Sequence, residues 1–353
     1  MLRKCLHQDN VNQVIEKSFF NNTISHSILF TGDYGSGKST MALYLAALNH
    51  CTSENKPCFT CEDCVRIRNL THTGVIFVNT DNAYSKLAAL KTIFEENGII
   101  EKLIIELNFI IRDIKYRIES GYLNNSGTKN KKKQKENEKR LEKIDEYFSL
   151  DSKLIVDENN INSALENAKF LAEQVKNDNI PANSIRSIMS SVYKSNFKGK
   201  SVVIITGIHK MREQGANAFL KTLEEPPKDT QFILCTEEPD NILPTIKSRC
   251  NIISFNSINT GNACRIAEKN WGLNVSGSNV DDVGGILERI SGSNRINRHE
   301  IIDNVIGDIS GNLFSYVDDK IKDGEFERVL YEINNILLHK EINQNKNITV
   351  QNK

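Results

Sequence analysis

The stretch TGDYGSGKST, residues 31–40, constrains the fold of this chain more than any other feature. It contains the pattern Gly-x4-Gly-Lys-Ser, follows the apolar run SILF and leads into the helix-forming run KSTMALYLAALNH. A strand, a glycine-rich turn and a helix in this order form a phosphate-binding loop, because backbone N–H groups then face the phosphates at the positive end of the helix. The motif therefore predicts an α/β domain that binds ATP or GTP.

The motif also predicts a role for its individual residues. Lys38 is expected to reach the β- and γ-phosphates, and the Ser39 hydroxyl is expected to bind Mg²⁺. The predicted nucleotide ligands are Gly32, Asp33, Tyr34, Gly35, Ser36, Gly37, Lys38, Ser39 and Thr40. The alternative is a glycine-rich turn that binds nothing.

Three further apolar runs predict strands of the same sheet. They read GVIFVNTD, SVVIIT and TQFILCT, and helical segments lie between them. Short apolar runs of this kind are typical of buried parallel strands, and their alternation with helices indicates an α/β fold. No strand is expected after Cys250, where residues 258–305 read as helical.

Residues 84–179 interrupt this alternation and are predicted to form a helical insertion. Apolar residues at i, i+3 and i+4 spacing indicate an amphipathic helix. Its apolar positions are Ile100, Leu103, Ile104, Leu107, Ile111 and Ile114. The basic stretch NNSGTKNKKKQKENEKRLEK is interpreted as a solvated loop leading into a charged helix, with contacts to DNA phosphates as the alternative. Insertions of this length usually project from the surface.

Four of the eight cysteines fall within fourteen residues and predict a metal site. In a reducing cytosol such clustering favours a metal over disulfides. The spacing Cys51-x6-Cys58-x2-Cys61-x2-Cys64 allows four thiolates to converge on a tetrahedral Zn²⁺. Since four thiolates leave no open coordination position, this zinc would be structural. Four free thiols or an iron–sulfur cluster are the alternatives.

Charge and hydropathy limit the partners of the chain. Lys plus Arg and Asp plus Glu both number 45, so no net charge would draw the whole chain onto nucleic acid or an anionic membrane. The N-terminus lacks the apolar core of a signal peptide, and the apolar run GIIEKLIIELNFII is short for a membrane span and contains charges. A cytoplasmic protein without a membrane partner is expected.

Four motifs occur in a telling order: the phosphate loop, the four-cysteine module, ANAFLKTLEEPP at residues 216–227, and Ser-Arg-Cys at residues 248–250. In this order they resemble the bacterial clamp-loader subunits of DNA polymerase III, which are AAA+ proteins of the gamma/tau and delta-prime types. The similarity extends over about residues 11–85 and 180–295, somewhat over half of the chain. The insertion has no counterpart in that resemblance.

The resemblance implies an α/β fold with an AAA+ P-loop domain and a parallel sheet, followed by smaller helical regions. The expected divisions are an AAA+ domain (1–256) containing a zinc module (51–64) and the helical insertion (84–179), a helical lid (257–305), a short helical collar-like region (306–342) and a disordered tail (343–353).

Two arginines acquire roles from the same resemblance. In this family the arginine of Ser-Arg-Cys reaches the γ-phosphate of ATP on the neighbouring subunit, so Arg249 is the expected trans arginine finger. The stretch SGSNR resembles the family's lid motif, which would make Arg295 a residue that contacts bound phosphate.

The resemblance also exposes a departure at the hydrolytic position. In the active gamma-type subunit, the strand before the KTLEEPP segment ends in an Asp-Glu pair that holds the Mg²⁺ shell and polarises water. Thr206 and Gly207 occupy these columns, and Glu237 occupies a column where a Thr or Asn is expected. These departures favour the delta-prime type, which does not hydrolyse ATP. The intact phosphate loop differs from many delta-prime subunits and favours retained ATP binding.

A second candidate for the missing acids lies inside the insertion. The stretch KLIVDENN places Asp157 and Glu158 directly after three apolar residues, which is the local pattern of a Walker B strand. If Asp157 and Glu158 supply the acids, the chain is expected to hydrolyse ATP. If Thr206 and Gly207 occupy that position, it is expected to bind ATP without efficient hydrolysis.

The leading prediction is a delta-prime-like clamp-loader subunit that binds ATP with Mg²⁺ but turns it over poorly, holds structural Zn²⁺ and presents Arg249 to a neighbour. Its expected partners are the other subunits of a hetero-oligomeric ring, the sliding clamp, and primer-template DNA through the assembly. The alternatives are an active gamma/tau-type ATPase whose site is completed by Asp157 and Glu158 or by a less obvious carboxylate, and an AAA+ adaptor outside replication whose inserted helices bind an unrelated partner.

Overall fold

A five-stranded parallel sheet forms the centre of the protein. The computed structural model describes residues 5, 7–80, 83–98, 101–120, 131–150, 157–175, 180, 182–194, 199–211, 213–259, 261, 262 and 265. The strands are β1 (Ser27–Thr31), β2 (Val75–Val78), β3 (Ser201–Ile205), β4 (Thr230–Thr236) and β5 (Asn251–Ser254). The α-helices in these residues are α1 (Asp9–Phe20), α2 (Lys38–His50), α3 (Glu62–Arg68), α4 (Ala83–Asn97), α5 (Glu101–Ser120), α6 (Lys131–Ser149), α7 (Glu158–Gln174), α8 (Ala182–Lys194), α9 (Glu213–Glu224) and α10 (Pro244–Lys247).

The strand order across the sheet is β2-β3-β4-β1-β5, and all four pairings are parallel. Because the strands run in the same direction, their carboxyl ends lie at one edge of the sheet. The loop after β1 and the segments after β3 and β4 therefore meet there. The predicted α/β fold with a parallel sheet is confirmed, and the four apolar runs form β1 to β4.

The expectation that no strand follows Cys250 is wrong. Residues Asn251–Ser254 form β5, which pairs with β1 in a register that places Asn251 beside Ile28. This strand lies at the edge of the sheet and most of its residues are exposed. It lacks the apolar run that marks a buried strand, since its stability depends on backbone hydrogen bonds to β1 more than on burial of its side chains.

Helices cover both faces of the sheet. On one face, α1 and α2 pack against Ile28 and Phe30 of β1. On the other face, α8 and α9 pack against Leu29 of β1 and Phe232 of β4. Successive residues of a strand point to opposite faces, and all five residues of β1 are buried because helices cover both faces of the sheet.

The insertion helices α4, α5, α6 and α7 form an apolar core of their own. Four of the predicted apolar positions are buried in it, namely Ile104, Leu107, Ile111 and Ile114. The insertion also contacts the sheet, because Phe109 of α5 packs edge-on against Phe77 of β2 with 6.2 Å between ring centroids. The insertion is thus connected to the sheet as well as having its own core.

Several predicted regions lie wholly or mostly outside the described residues. The basic loop before α6 (121–130), the collar-like region (306–342) and the tail (343–353) are among them. Of the predicted lid (257–305), the structure describes residues 257–259, 261, 262 and 265. Where the chain is described, no helix is both long and apolar enough to cross a membrane.

Candidate nucleotide site and metal centre

The predicted phosphate loop lies between β1 and α2, at the carboxyl edge of the sheet. Gly32 has a φ of +145°, and a Cβ built there would lie 2.7 Å from the carbonyl oxygen of Phe255. Gly37 has a φ of +99° and directly precedes the first residue of α2. Glycine is required at both positions, since other residues rarely adopt such φ values and a side chain at Gly32 would clash. The loop can therefore turn sharply and direct its N–H groups toward the helix axis.

Lys38 is the first residue of α2, and its side chain is folded into the loop. Its Nζ donates to the carbonyl oxygens of Gly32 (2.8 Å) and Asp33 (2.7 Å) and to the hydroxyl of Ser36 (3.4 Å). The residue is 6% exposed, so a buried positive charge lies at the N-terminal end of the helix. A positive charge and a helix N-terminus in one concave loop form an environment suited to an anion.

Segments from both sides of the chain close around this loop. Gln8 is 2% exposed, and its amide nitrogen donates to the carbonyl oxygens of Ser36 (3.2 Å) and Asn256 (2.7 Å). The amide oxygen of Gln8 accepts from the backbone N–H of Asn256. The Ser257 hydroxyl donates to the carboxylate of Asp33. The phosphate loop is thus hydrogen-bonded to the segment that follows β5, a connection for which the sequence offered no signal.

The end of β3 carries no carboxylate, and the segment after β2 packs against it. The Thr206 hydroxyl donates to Asn79 Oδ1 (2.8 Å) and accepts from the N–H of Thr80 (3.2 Å). Gly207 has a φ of +62°, and a Cβ built there would lie 2.0 Å from the Thr80 hydroxyl oxygen. The hydroxyl of Thr206 is therefore engaged by the segment after β2, and there is no room for an acidic side chain at Gly207 unless Thr80 moves.

A buried ion pair in the insertion continues the hydrogen bonds of Thr206. Asn79 Nδ2 donates to Asp113 Oδ2 (3.0 Å), and Arg117 donates to the same oxygen at 2.5 Å. The side chains of Asp113 and Arg117 are 3% and 4% exposed. Helix α5 is therefore linked to the end of β3 through Asn79. Sequence reasoning missed Asp113, because nothing in the local pattern separates it from the exposed acids of the same helix.

His209 is a second residue that sequence reasoning passed over. Its Nδ1 lies 3.1 Å from the hydroxyl of Thr236 at the end of β4, and its side chain is 7% exposed. Burial lowers the pKa of His209, and although Glu238 acts against this shift, Lys210 and Lys38 add to it. The imidazole is consequently neutral near pH 7. The only sequence signal was its position three residues after the end of a predicted strand.

Asp157 and Glu158 lie away from the sheet edge in sequence and in local structure. Asp157 is the N-cap of α7, and its carboxylate accepts from the N–H groups of Asn159 (3.0 Å) and Asn160 (3.3 Å). Both Asp157 and Glu158 are exposed. An aspartate in this position satisfies free N–H groups of the first helical turn, which accounts for its presence without a catalytic role.

Arg249 follows the short helix α10 and is held by three acceptors. Its Nη1 donates to the carbonyl oxygen of Thr245 (2.9 Å) and to the hydroxyl of Ser248 (3.4 Å), and its Nη2 donates to Glu224 Oε1 (2.5 Å). The side chain remains 34% exposed. Arg295, the other predicted arginine, lies outside the described residues.

The four predicted metal ligands come together in one cluster, hereafter the cysteine cluster. The sulfur atoms of Cys51, Cys58, Cys61 and Cys64 all lie within 4.8 Å of one another. Cys51 directly follows α2, and Cys64 lies in α3, so two helices fix the ends of the loop between them.

The donor set of the cysteine cluster fits a tetrahedral thiophilic metal ion. The sulfur atoms of Cys51 and Cys61 are 3.9 Å apart, close to the edge of about 3.8 Å expected for a tetrahedron with metal–sulfur bonds of about 2.3 Å. Backbone N–H groups donate to two of the sulfurs, from Cys58 to Cys51 (3.3 Å) and from Cys61 to Cys58 (3.2 Å). Such bonds stabilise thiolates, and the cluster could therefore hold a metal such as zinc.

Without a metal the thiols of the cluster differ in acidity. Hydrogen bonds from the hydroxyl and the backbone of Thr60 lower the pKa of Cys58 to about 6. Burial raises the pKa of Cys64. A bound cation would favour the thiolate at every position and would remove this difference. All seven cysteines in the described part of the chain are free of disulfides, which agrees with the prediction from their clustering.

One family model matches most of this chain. The model described as "DNA polymerase III, delta subunit" matches residues 7–105 and 118–259, which is more than half of the sequence. The matched ranges contain the phosphate loop, the cysteine cluster, the end of β3 and Arg249. The unmatched residues 106–117 include Asp113.

Curated relatives carry the names of two subunits. The chain is 35% identical to the DNA polymerase III subunit delta' of Escherichia coli (strain K12) over 83 residues, which are 23% of this chain and 25% of that protein. It is 24% identical to the subunit delta' of Bacillus subtilis (strain 168) over 249 residues, which are 70% of this chain and 47% of that protein. It is 43% identical to a DNA polymerase III subunit gamma of Buchnera aphidicola over 67 residues, 19% of each protein. The chain thus spans at most about half the length of these relatives.

Proposed function

The chain belongs to the family of the DNA polymerase III delta subunit, and on that premise we propose that it is a delta-prime-like subunit of a clamp loader. In this proposal it binds ATP, turns it over poorly or not at all, and takes part in loading a sliding clamp during DNA replication. The observation that carries the proposal is the contrast at the sheet edge. The loop after β1 has every feature of a phosphate site, whereas Thr206 and Gly207 at the end of β3 offer no carboxylate.

ATP binding is assigned to residues 32–40. The N–H groups of the loop would face the phosphates, and Lys38 would exchange the carbonyl oxygens of Gly32 and Asp33 for phosphate oxygens. Ser39, in the first turn of α2, would bind the Mg²⁺ that accompanies ATP. Arg295 stays a predicted phosphate contact.

Poor turnover follows from what is missing beside this loop. Phosphoryl transfer to water requires a residue that holds the Mg²⁺ shell and one that orients the attacking water. Thr206 is a weak, neutral ligand whose hydroxyl is already bonded to Asn79 and Thr80. Gly207 has no side chain, and the acids within two residues after the end of a strand in the described part of the chain are the exposed Asp33 after β1 and the exposed Glu237 and Glu238 after β4.

Arg249 would act on ATP bound by a neighbouring subunit. It is partly exposed at the end of α10, and its guanidinium is held by backbone and carboxylate acceptors. The partners implied are the other subunits of a hetero-oligomeric ring, with the sliding clamp and primer-template DNA engaged by the assembly. The chain itself needs no strong net positive charge for this role, which agrees with its balanced composition.

Zinc is the metal proposed for the cysteine cluster, in a structural role. Four soft sulfur donors at tetrahedral spacing select Zn²⁺ among the common metals, and no coordination position is left for a substrate. Cys51, Cys58, Cys61 and Cys64 would then fix the loop between α2 and α3, which is too polar to form a core of its own.

Reconstitution tests the proposed function as a whole. The full-length chain is combined with the other clamp-loader subunits and the sliding clamp of its own organism, and assembly is followed by size-exclusion chromatography with mass determination. We expect one copy in a stable ring whose clamp-dependent ATP turnover falls sharply with Arg249→Ala. The matched control is Arg186→Ala, an exposed arginine of α8. A chain that stays out of the assembly would instead support an adaptor outside replication.

Metal analysis tests the zinc assignment separately. Inductively coupled plasma mass spectrometry of the purified chain should give one zinc per molecule, and Cys61→Ser should lower this value to near zero. The half-buried Cys250 lies outside the cluster, so Cys250→Ser is the control and should keep the metal. Iron in place of zinc would contradict the assignment.

A further inference from the structure

The guanidinium of Arg249 is held by its own subunit on one side only. Nη1 donates to the carbonyl oxygen of Thr245 at 2.9 Å, and Nη2 donates to Glu224 Oε1 at 2.5 Å. In the described part of the chain the Nε–H group of Arg249 has no acceptor, and the side chain is 34% exposed. The charged group is therefore fixed in place while part of its donor set faces outward.

Two well-packed elements determine the position of the carboxylate partner. Glu224 is the last residue of α9, and the preceding Leu223 is buried in the core beneath the sheet. Ile246 of α10 is buried in the same core and fixes the short helix that precedes Arg249. Pro226 and Pro227 follow α9 and prevent the helix from continuing, so Glu224 remains at its exposed end. The fold thus determines the distance between the side chains of Glu224 and Arg249.

We propose that Glu224 is a positioning residue for Arg249, which fixes the guanidinium in the orientation that a neighbour's ATP requires. This inference rests on the proposed trans role of Arg249. In the neighbour's reaction, water forms a bond to the γ-phosphorus, the bond from that phosphorus to the β–γ bridging oxygen breaks, and the electron pair leaves with ADP while phosphate and a proton are released. The arginine stabilises the charge on the transferred group. Glu224 would touch neither the nucleotide nor the water.

The geometry favours positioning over masking of the arginine. A carboxylate that paired with the whole face of the guanidinium would take two parallel hydrogen bonds and would hide the group. Glu224 accepts from Nη2 through one oxygen, while Nη1 is turned to the backbone of α10. A long flexible side chain restrained at two of its nitrogens loses less conformational freedom when it reaches the neighbour.

The test uses the assembled clamp loader with clamp and primer-template DNA, and measures kcat and KM for ATP. Four versions of this subunit are compared with the wild type: Glu224→Gln, Arg249→Ala, the double variant, and Glu225→Gln. Glu225 is the adjacent exposed glutamate and has no contact with Arg249. Assembly stoichiometry and melting temperature are measured for every version, so that loss of folding is recognised.

We expect Glu224→Gln to lower kcat about 3- to 5-fold, the range of an exposed charged pair, and to leave KM within about 2-fold. Arg249→Ala should lower kcat further, and the double variant should equal Arg249→Ala, because Glu224 acts only through that arginine. Glu225→Gln should match the wild type.

Three results would overturn the inference. If Glu224→Gln matches the wild type or raises kcat while Arg249→Ala lowers it, Glu224 does not position the arginine, although the proposed trans role stands. If Glu224→Gln lowers kcat equally in the Arg249→Ala background, Glu224 acts by another route. If Arg249→Ala has no effect, the trans role itself fails, and the inference fails with it.

Discussion

The carboxyl ends of β1 and β3 lie at the same edge of the sheet but carry different side chains. After β1, the loop retains its glycines and a buried lysine whose ammonium group contacts three oxygen atoms of the loop. After β3, a threonine and a glycine replace the expected acids, and Thr80 occupies the space in which a side chain of residue 207 would lie. In the proposed function, ATP binding therefore depends on the loop after β1, whereas hydrolysis would require acids that the end of β3 does not carry.

The difference also shows how the end of β3 is held in place. Thr206 bonds to Asn79, and Asn79 bonds to the buried Asp113 of the insertion. A metal-binding acid must face an open site, whereas Thr206 faces the segment after β2. The end of β3 is therefore a packing contact between the sheet and α5. An acidic side chain introduced there would disturb that contact.

The largest expected change in ligand affinity is on the β1 side. Lys38→Ala should weaken Mg-ATP binding by about 100-fold, equivalent to about 2.7 kcal/mol, because it removes the ammonium group that lies buried in the loop. Isothermal titration calorimetry measures this change. Lys17→Ala, an exposed lysine of α1, is the control and should bind like the wild type. Equal affinities for the two variants would show that the loop is not the ATP site.

A large loss of stability is expected when the buried ion pair next to the end of β3 is broken. Asp113→Asn should lower the free energy of unfolding by about 3–5 kcal/mol, because the buried Arg117 loses its charged partner. Urea unfolding followed by circular dichroism measures the change. Asp145 pairs with Lys115 at the surface, so Asp145→Asn should change stability by less than about 1 kcal/mol. Similar values for the two variants would mean that the link to the sheet contributes little.

A smaller loss is expected at Gly207. Gly207→Ala should destabilise the protein by about 1–3 kcal/mol, because the new Cβ overlaps the Thr80 hydroxyl and the backbone has a positive φ. Gly98→Ala isolates the contribution of the backbone, since Gly98 has a φ of +73° and nothing within 4 Å of a built Cβ. Gly207→Ala should also cost less in a Thr80→Ala background. If Gly207→Ala, Gly98→Ala and Gly207→Ala in the Thr80→Ala background all lower the free energy of unfolding by the same amount, the Thr80 side chain does not exclude a Cβ at position 207.

The smallest effect concerns pH. Burial lowers the pKa of His209, so the folded state resists protonation while the unfolded state accepts a proton near pH 6.5. Stability is then complete above about pH 6.5 and declines as the pH falls below it. His209→Asn should make the unfolding free energy less dependent on pH between 7 and 5. The exposed His26 serves as the comparison, and His26→Asn should retain the wild-type slope. A slope unchanged by His209→Asn would contradict this assignment.

The sequence predicted the β1 side well because its chemistry is local. The glycines and Lys38 that form the turn of the phosphate loop lie within a few residues of one another, and the cysteine cluster likewise spans one short loop. The strand β5 was missed since an exposed edge strand carries no apolar run. Asp157 illustrates an ambiguity of local patterns, because three apolar residues followed by Asp-Glu are typical of a Walker B strand, whereas Asp157 is the N-cap of α7. The contact of Thr206 with Asn79 joins residues far apart in sequence, so no local pattern encodes it.

The central claim is that ATP binding and ATP hydrolysis have been separated in this chain. Its most direct test measures both on one preparation of the isolated wild-type protein, with Lys38→Ala prepared in parallel. We predict one Mg-ATP bound per chain, and ADP formation at saturating ATP no faster than in the Lys38→Ala preparation. Steady ADP formation well above that of Lys38→Ala would contradict the claim, and a catalytic acid would then have to be found that supplements Thr206 and Gly207.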